Sequence, residues 1–279
     1  MVKTIKLLFI GDVVGQPGLI TFGKWASKLK EQYGADAIIV NGENSAKNGR
    51  GLSPKTLDFF KHHGAAVITS GNHVWENREL HSAIKQREDV IRPVNYPAGC
   101  PGKGYAFIEV CGYTVAIVNI HGRVFVRDLL DCPFRGIESL LTFIKTKTNI
   151  IFVDFHAEAT AEKRAMGFFL DGKVSAVVGT HTHVPTADEQ VLPEGTAYIT
   201  DVGYVGALNS VIGMQAEGVL QKFLYAQHLG KFTVDCRGAM ELNGVCVEIN
   251  TETGLAVAIE RIRIIDHEVS GLLTQEDRT

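Results

Sequence analysis

The chain is 279 residues long, 45% hydrophobic and 21% charged, with a formal net charge of −3. That length and balance fit one enzyme-sized α/β domain with its own core. The slight acid excess argues against a dedicated nucleic-acid binder, whose affinity comes from clustered Lys and Arg, but leaves room for a nucleotide held through cations.

In chain order, Ile5 to Ile10 reads as a buried strand and Ile20 to Tyr33 as an amphipathic helix. Ala37 to Val40 is a second strand, followed by a helix opening at Ser53-Pro54, an N-cap and first-turn pair. Ala65 to Thr69 is a third strand and Asn77 to Gln86 a third helix. This β-α-β-α-β-α order implies parallel strands with crossover helices. Tyr105 to Val110 and Tyr113 to Ile120, joined by Cys111-Gly112, read as a hairpin. Then come a helix at Phe134 to Lys145, a strand at Ile150 to Phe155, a helix at Glu158 to Leu170 and a strand at Val174 to Val178. Ala197 to Thr200 is a further strand, with a helix near Gly218 to Gln227. The last strands are Lys231 to Asp235, Val245 to Ile249 and Val257 to Ile265, the final two forming a second hairpin. Two β-rich halves with helices predict two sheets packed face to face within a single domain, 1–266, and a disordered polar tail, 267–279.

The apolar run Leu7 to Ile10 is broken at once by Gly11-Asp12, too short for a signal-peptide core or a membrane span. Cys100, Cys111, Cys132, Cys236 and Cys246 are odd in number, scattered and without a CxxC pair. The expectation is reduced thiols in a cytoplasmic protein with no membrane partner.

Five strand ends finish in groups that bind metals: Gly11-Asp12, Asn41-Gly42-Glu43-Asn44, Gly71-Asn72-His73, His156, and Gly179-Thr180-His181-Thr182-His183. Ligands of parallel α/β sheets bind beyond the carboxyl ends of strands, so these groups converge on one crevice. Asp, Glu, Asn and neutral His suit Mn, Fe or Zn, and in an extended segment the two histidines of His-x-His share a face. Of the ten histidines, His62, His63, His81, His228 and His267 fall on helices or in the tail and read as solvated or satisfied. His121 ends a strand before Gly122-Arg123 and is the ambiguous one, better placed to contact substrate or support a ligand than to bind metal. The Gly-rich stretch Gly11 to Gly18 offers a rival phosphate-cradle reading, but it matches neither GxGxxG nor GxxxxGK[ST], and Asp12 repels a bare phosphate.

Taken together and in order, from about residue 4 to 265, these motifs, with Trp75 after Gly71-Asn72-His73, resemble the calcineurin-like metallophosphoesterases. The match is best with the YmdB-like branch, bacterial phosphodiesterases associated with cyclic nucleotides. Val14 stands where most of the superfamily has the histidine of Asp-x-His, and Glu43-Asn44 where most have a bridging aspartate; the branch shares both departures. The resemblance implies a four-layer α-β-β-α sandwich and two divalent or mixed-valence metals per chain, Fe or Mn with Zn as the alternative. It implies that Glu43 bridges the ions, that Asp12, Asn44 and His183 complete one site, and that Asn72, His156 and His181 complete the other. His73 is then the non-ligand catalytic histidine beside the scissile phosphate.

Two cations about 3.5–4 Å apart hold a hydroxide for in-line attack, and a protonated His73 then assists the leaving oxygen, typically by ~10²–10⁴-fold. The resemblance points to 2′,3′-cyclic nucleotides as substrates, small phosphodiesters rather than a stable nucleic-acid complex. The rivals are a phosphomonoesterase or nucleotidase, and a nucleotide-binding regulator with little turnover. Segments 13–18, 45–53, 74–77, 121–135 and 184–212 are the expected specificity loops. Trp75, Phe125 and Tyr204 read as packing aromatics, with stacking on a base as the alternative. A homo-oligomer is expected on base rates.

Overall fold

The computed structural model describes residues 3–226 and 232–273. The first half supplies β1 (Thr4–Ile10), β2 (Asp12–Val13), α1 (Gly15–Tyr33), β3 (Ala37–Asn41), α2 (Pro54–His62), β4 (Ala65–Thr69) and one turn of helix, α3 (Leu80–Ala83). Next come β5 (Tyr105–Val110), β6 (Tyr113–His121), α4 (Pro133–Ile144), β7 (Ile151–His156), α5 (Thr160–Leu170) and β8 (Ala176–Thr180). The remainder is β9 (Gln190–Val191), β10 (Ala197–Ile199), β11 (Tyr204–Ala207), α6 (Ala216–Tyr225), β12 (Met240–Asn250) and β13 (Ala256–Asp266).

The strands form two mixed sheets. One runs β2-β11-β12-β1-β3-β4, with β13 also paired to β12; the second runs β5-β6-β7-β8-β10-β9. Within them β1, β3 and β4 are parallel, as are β6, β7, β8 and β10, while β12 is antiparallel to β1, β11 and β13.

Strand periodicity explains the layers. Along β1, Ile5, Leu7 and Phe9 face the second sheet, and Leu8 and Ile10 face α1 and α2. Phe9 stacks on Phe152 of β7 across the inter-sheet space, ring centres 5.6 Å apart. On the far side, Val118, Ile120, Val153 and Phe155 meet Ile137 and Leu141 of α4 and Met166 and Leu170 of α5. The result is the expected four-layer sandwich.

Local signals account for several boundaries. Ser53 and Thr56 form a reciprocal capping box at α2, with Pro54 in the first turn. Cys111 (φ 51°) and Gly112 (φ 83°) both take positive φ, the conformation a two-residue hairpin turn requires between β5 and β6.

Other expectations need correction. The helix expected at Asn77 to Gln86 is only the α3 turn, because Asn77 caps the backbone N–H of Glu79 and holds the chain in a turn before it. Of the strand expected at Lys231 to Asp235, Lys231 lies outside the described residues. Among the rest, Val234 makes only an isolated bridge to Met214. Helix α1 starts five residues earlier than expected, and β2, β9 and β11 are additions to the expected strands. The expected polar tail begins in order: a 3-10 turn spans Val269–Leu272, and Val269 and Leu273 are buried against Ala207 and Met240. Residues 274–279 lie outside the described residues. His228 does too.

Asp266 organises that turn. Its carboxylate accepts from the Trp25 indole at 2.6 Å, from Lys24 Nζ at 2.7 Å, and from the backbone N–H groups of Glu268 and Val269. Burial alone would raise its pKa, but Lys24, the Glu268 N–H and Trp25 outweigh that and hold it at about 2. A folded value below the unfolded one, about 3.9, gives stability that is complete above pH 4 and lost as pH falls towards 2. Asp266→Asn is therefore expected to lower the thermal midpoint by a few degrees at pH 7. The deficit should shrink below pH 4 and close near pH 2, as followed by circular dichroism across the series.

Candidate metal centre

The carboxyl ends of β1, β3, β4, β7 and β8 meet at one end of the inter-sheet space. There the expected ligands come together. His156 Nε2 lies 3.0 Å from Glu43 Oε1, 3.1 Å from Asn72 Oδ1 and 3.0 Å from His181 Nδ1. His183 Nε2 lies 3.1 Å from Asn44 Nδ2 and 3.9 Å from Asp12 Oδ1. Glu43 Oε1 joins the two groups, being also 3.3 Å from Asn44 Nδ2. Ligand atoms of Glu43, His156 and His181 all fall within 4.8 Å of one another. With metal–nitrogen bonds of about 2.0–2.1 Å, neighbouring ligand atoms on one ion sit roughly 3.0–3.4 Å apart, so the spacing suits a shared cation.

The donor set passes a second test of fit. Asp12 is fully enclosed, and its Oδ1 has no hydrogen-bond partner, although Oδ2 accepts from the His181 backbone N–H at 3.1 Å. A buried carboxylate oxygen left bare is costly unless a cation or proton meets it. Burial pushes the Asp12 pKa well up, with Glu43 and Asp201 adding to the rise against His156. Glu43 goes the other way: burial would raise it, but His156, His73 and His181 hold it well below the usual carboxylate range. Burial would lower His156, yet Glu43, Asp12 and Asp154 lift it to about 9.

Supporting groups hold each donor. Nδ1 of His156 meets Thr180 Oγ1 at 2.9 Å, and that hydroxyl donates to Asp154 Oδ1 at 2.7 Å. Asp154 also accepts from Thr69 and Asn41 of the opposite sheet, so it ties both sheets beneath the site. His183 Nδ1 donates to the Ile212 carbonyl at 3.0 Å, leaving Nε2 for the cleft, and its ring stacks on Tyr204. His181 Nε2 meets Glu158 at 3.0 Å.

His181 (φ 100°) and His183 (φ 64°) both have left-handed backbone, which is strained for a side-chain-bearing residue. Their loop is held by an enclosed Lys163. Its Nζ donates to the Thr180 carbonyl at 2.8 Å and pairs with Asp201 at 2.6 Å, and Asp201 accepts from the N–H and hydroxyl of Thr182. Gly71 is a steric requirement: a Cβ there would lie 2.2 Å from the His156 ring and 2.3 Å from Glu43 Oε2.

His73 sits at the rim. Its backbone N–H donates to Glu43 Oε2 at 3.1 Å and its Nδ1 lies 2.6 Å from Asn44 Oδ1, so only Nε2 is left for a ligand. Asn44 therefore spends its oxygen on His73 and its nitrogen on Glu43 and His183. In this orientation it links His73 to the cluster, and offering the oxygen to a cation requires the amide to turn over.

His121, the ambiguous histidine, lies beside His156 on the neighbouring strand, ring centres 5.2 Å apart, outside the group whose ligand atoms converge. Trp75 packs edge-on against Tyr96, while Phe125 is 86% exposed. Sequence reasoning missed Asp154, Glu158, Lys163 and Asp201. Asp154 had a signal, since it shares a strand face with His156 two residues on; the others depend on contacts that spacing does not reveal.

A profile of the YmdB-like proteins matches residues 8–262. The 2′,3′-cyclic-nucleotide 2′-phosphodiesterase of Bacillus subtilis (strain 168) is 44% identical over 262 residues, covering 94% of this chain and 98% of its own. A crystal structure described as a novel phosphatase from Mycoplasma pneumoniae superposes with a TM-score of 0.89 at 35% identity, covering 100% of both chains. The crystal structure of a hypothetical protein from Thermus thermophilus gives 0.86 at 39% identity, over 94% of this chain and 100% of that one. With a family match spanning the whole sandwich and relatives of this identity along nearly the full length, the chain belongs to the YmdB-like protein family.

Proposed function

We propose that this chain is a metal-dependent phosphodiesterase that opens 2′,3′-cyclic nucleotides. The observation that carries the reading is that six strand-end donors come together, Asn72, His156 and His181 beside Glu43, and His183 beside Asp12, whose buried Oδ1 has no hydrogen-bond partner. The 44% identical cyclic-nucleotide phosphodiesterase supports the substrate class.

Glu43 would lie between two transition metals, Fe or Mn with Zn as the alternative. Asp12 and His183, with Asn44 once its amide turns, would hold one; Asn72, His156 and His181 would hold the other. When bound, the pair supplies Lewis-acid polarisation of the phosphoryl group and of water. The chain's own groups do the rest. The Thr180–Asp154 relay keeps the His156 ring turned so that Nε2 faces the cleft, and Lys163–Asp201 keeps both loop histidines in their strained backbone. His73, anchored through Nδ1, presents Nε2 at the rim, where it donates a proton to the leaving oxygen or a hydrogen bond to the phosphoryl group. Among the described residues no helix is long and apolar enough to cross a membrane, and Cys100, Cys111, Cys132 and Cys246 are free thiols, as a reducing cytoplasm favours. Assembly as a homo-oligomer belongs to this reading and is tested by light scattering.

The deciding experiment is metal content with turnover of 2′,3′-cyclic AMP, for wild type and His181→Ala. We expect near two metals per wild-type chain, a deficit in the variant, and turnover lower by at least about 10²-fold. Full turnover in His181→Ala would overturn the assignment. Faster turnover of phenyl phosphate than of bis-phenyl phosphate would favour a phosphomonoesterase. Gly71→Ala adds one methyl group and removes no donor. Because that methyl occupies the space of His156 and Glu43, it is expected to abolish metal loading while the far-ultraviolet spectrum keeps its mixed α/β shape.

A further inference from the structure

His156 and His183 present Nε2 to the cleft, and His181 is turned the other way. Nδ1 of His156 faces the Thr180 hydroxyl, and Nδ1 of His183 faces the Ile212 carbonyl. His181 instead directs Nδ1 inward, 3.0 Å from His156 Nε2, and Nε2 outward, 3.0 Å from Glu158 Oε2. The reversal follows from where its backbone lies. The His181 N–H donates to Asp12 Oδ2 at 3.1 Å, so the chain is drawn up against the centre and the ring nitrogen nearer the backbone spans the gap.

Glu158 has no competing task. It stands two residues beyond His156, between β7 and α5. A side chain there could cap the helix, but the cap position falls to Ala159 and no side-chain cap is made. Among the described residues Glu158 makes no ion pair or side-chain hydrogen bond besides its contact with His181. Its side chain is 49% exposed, so apolar packing does not account for its place either.

An imidazole nitrogen that binds a cation gives its lone pair there, which leaves the ring proton on the other nitrogen. In the loaded centre that other nitrogen of His181 is Nε2, and the group facing it is an acceptor. Turning the ring over would put carbon Cδ2 where Nδ1 now points and would break the contact with Glu158. One carboxylate at the rim thus selects both the orientation of the ring and the nitrogen it offers. It also raises the basicity of the imidazole, whereas the group behind His183 is a neutral carbonyl.

We propose that Glu158 is the positioning residue for His181 and makes the two sides of the centre unequal. The side formed by Asn72, His156 and His181 depends on this carboxylate, and the side formed by Asp12 and His183 does not. The proposal rests on the two-cation reading of the centre.

The test uses the full chain, stripped of metal and dialysed at one fixed pH against a series of buffered Mn²⁺ concentrations. Bound metal is counted for wild type, Glu158→Ala and Glu158→Gln. Glu158→Ala is expected to hold one equivalent about 10–100-fold more weakly and the other as in wild type. Glu158→Gln keeps an acceptor of the same length without the charge, and should hold that equivalent more tightly than Glu158→Ala. Turnover of bis(p-nitrophenyl) phosphate by Glu158→Ala should fall at limiting Mn²⁺ and recover as Mn²⁺ is raised. Equal weakening of both equivalents, or wild-type binding of both in Glu158→Ala, would overturn the proposal. A Gln variant no better than the Ala variant would reduce Glu158 to a bare charge, and turnover still low with two Mn²⁺ bound would place it on the substrate; either overturns the positioning role. Matching thermal midpoints of the metal-free proteins separate these losses from unfolding. A wild type that binds no Mn²⁺ overturns the metal reading itself, a result distinct from a wild type with two equivalents and an unaffected variant.

Discussion

Asp12 and Glu43 are two carboxylates shut away from water at the same end of the inter-sheet space, and much of the surrounding architecture answers their charge. Neither has a lysine or arginine partner among the described residues. What faces them are imidazoles, backbone N–H groups and one protonated histidine. Two like charges in a poorly solvated site repel strongly, and they lift the pKa of His156, the basic group that answers them. The sheets pack against each other below, with Phe9 on Phe152.

Rigidity at the site comes from buried polar connections rather than from hydrophobic packing alone. Asp154 accepts from β4, β3 and β8 at once, so the position of His156 is fixed relative to both sheets. The Lys163–Asp201 pair is nearly fully enclosed. Such a pair adds little net stability over apolar packing, but removing one member leaves a bare charge. Its value lies in geometry, because it grips Thr180 and Thr182, the residues flanking His181. Backbone strain at His181 and His183 persists only where neighbours over-determine it.

Much of this is legible in the sequence because strand ends and metal-binding residue types coincide in the chain. Gly71-Asn72-His73 and the His-x-His pair carry their chemistry in local spacing, and the Ser53-Pro54 pair announces its helix. The short strands β2, β9 and β11 leave no such trace, because two to four residues, one of them glycine in β11, carry no periodicity to read. In sequence Lys163 is one more helix charge; only the approach of Asp201, 38 residues later, makes it part of the site. Asn44 reads as a ligand from its place in the motif, and the fold adds a second task, because its oxygen lies against His73.

The pairing of β1 with β12 joins residues almost at opposite ends of the sequence, Thr4 opposite Asn250 and Ile10 opposite Gly244. On the ribosome, at about 5–20 residues per second, the first strand waits on the order of ten seconds or more for its antiparallel neighbour. Until then that edge of β1 is unpaired, β2 with Asp12 likewise waits for β11, and long-range contacts of this kind close slowly. The Asp12 side of the centre thus matures late in synthesis, after Glu43, His156 and His181 have all been made. The group of strand-end donors is thus complete only in the finished sandwich and not on the growing chain.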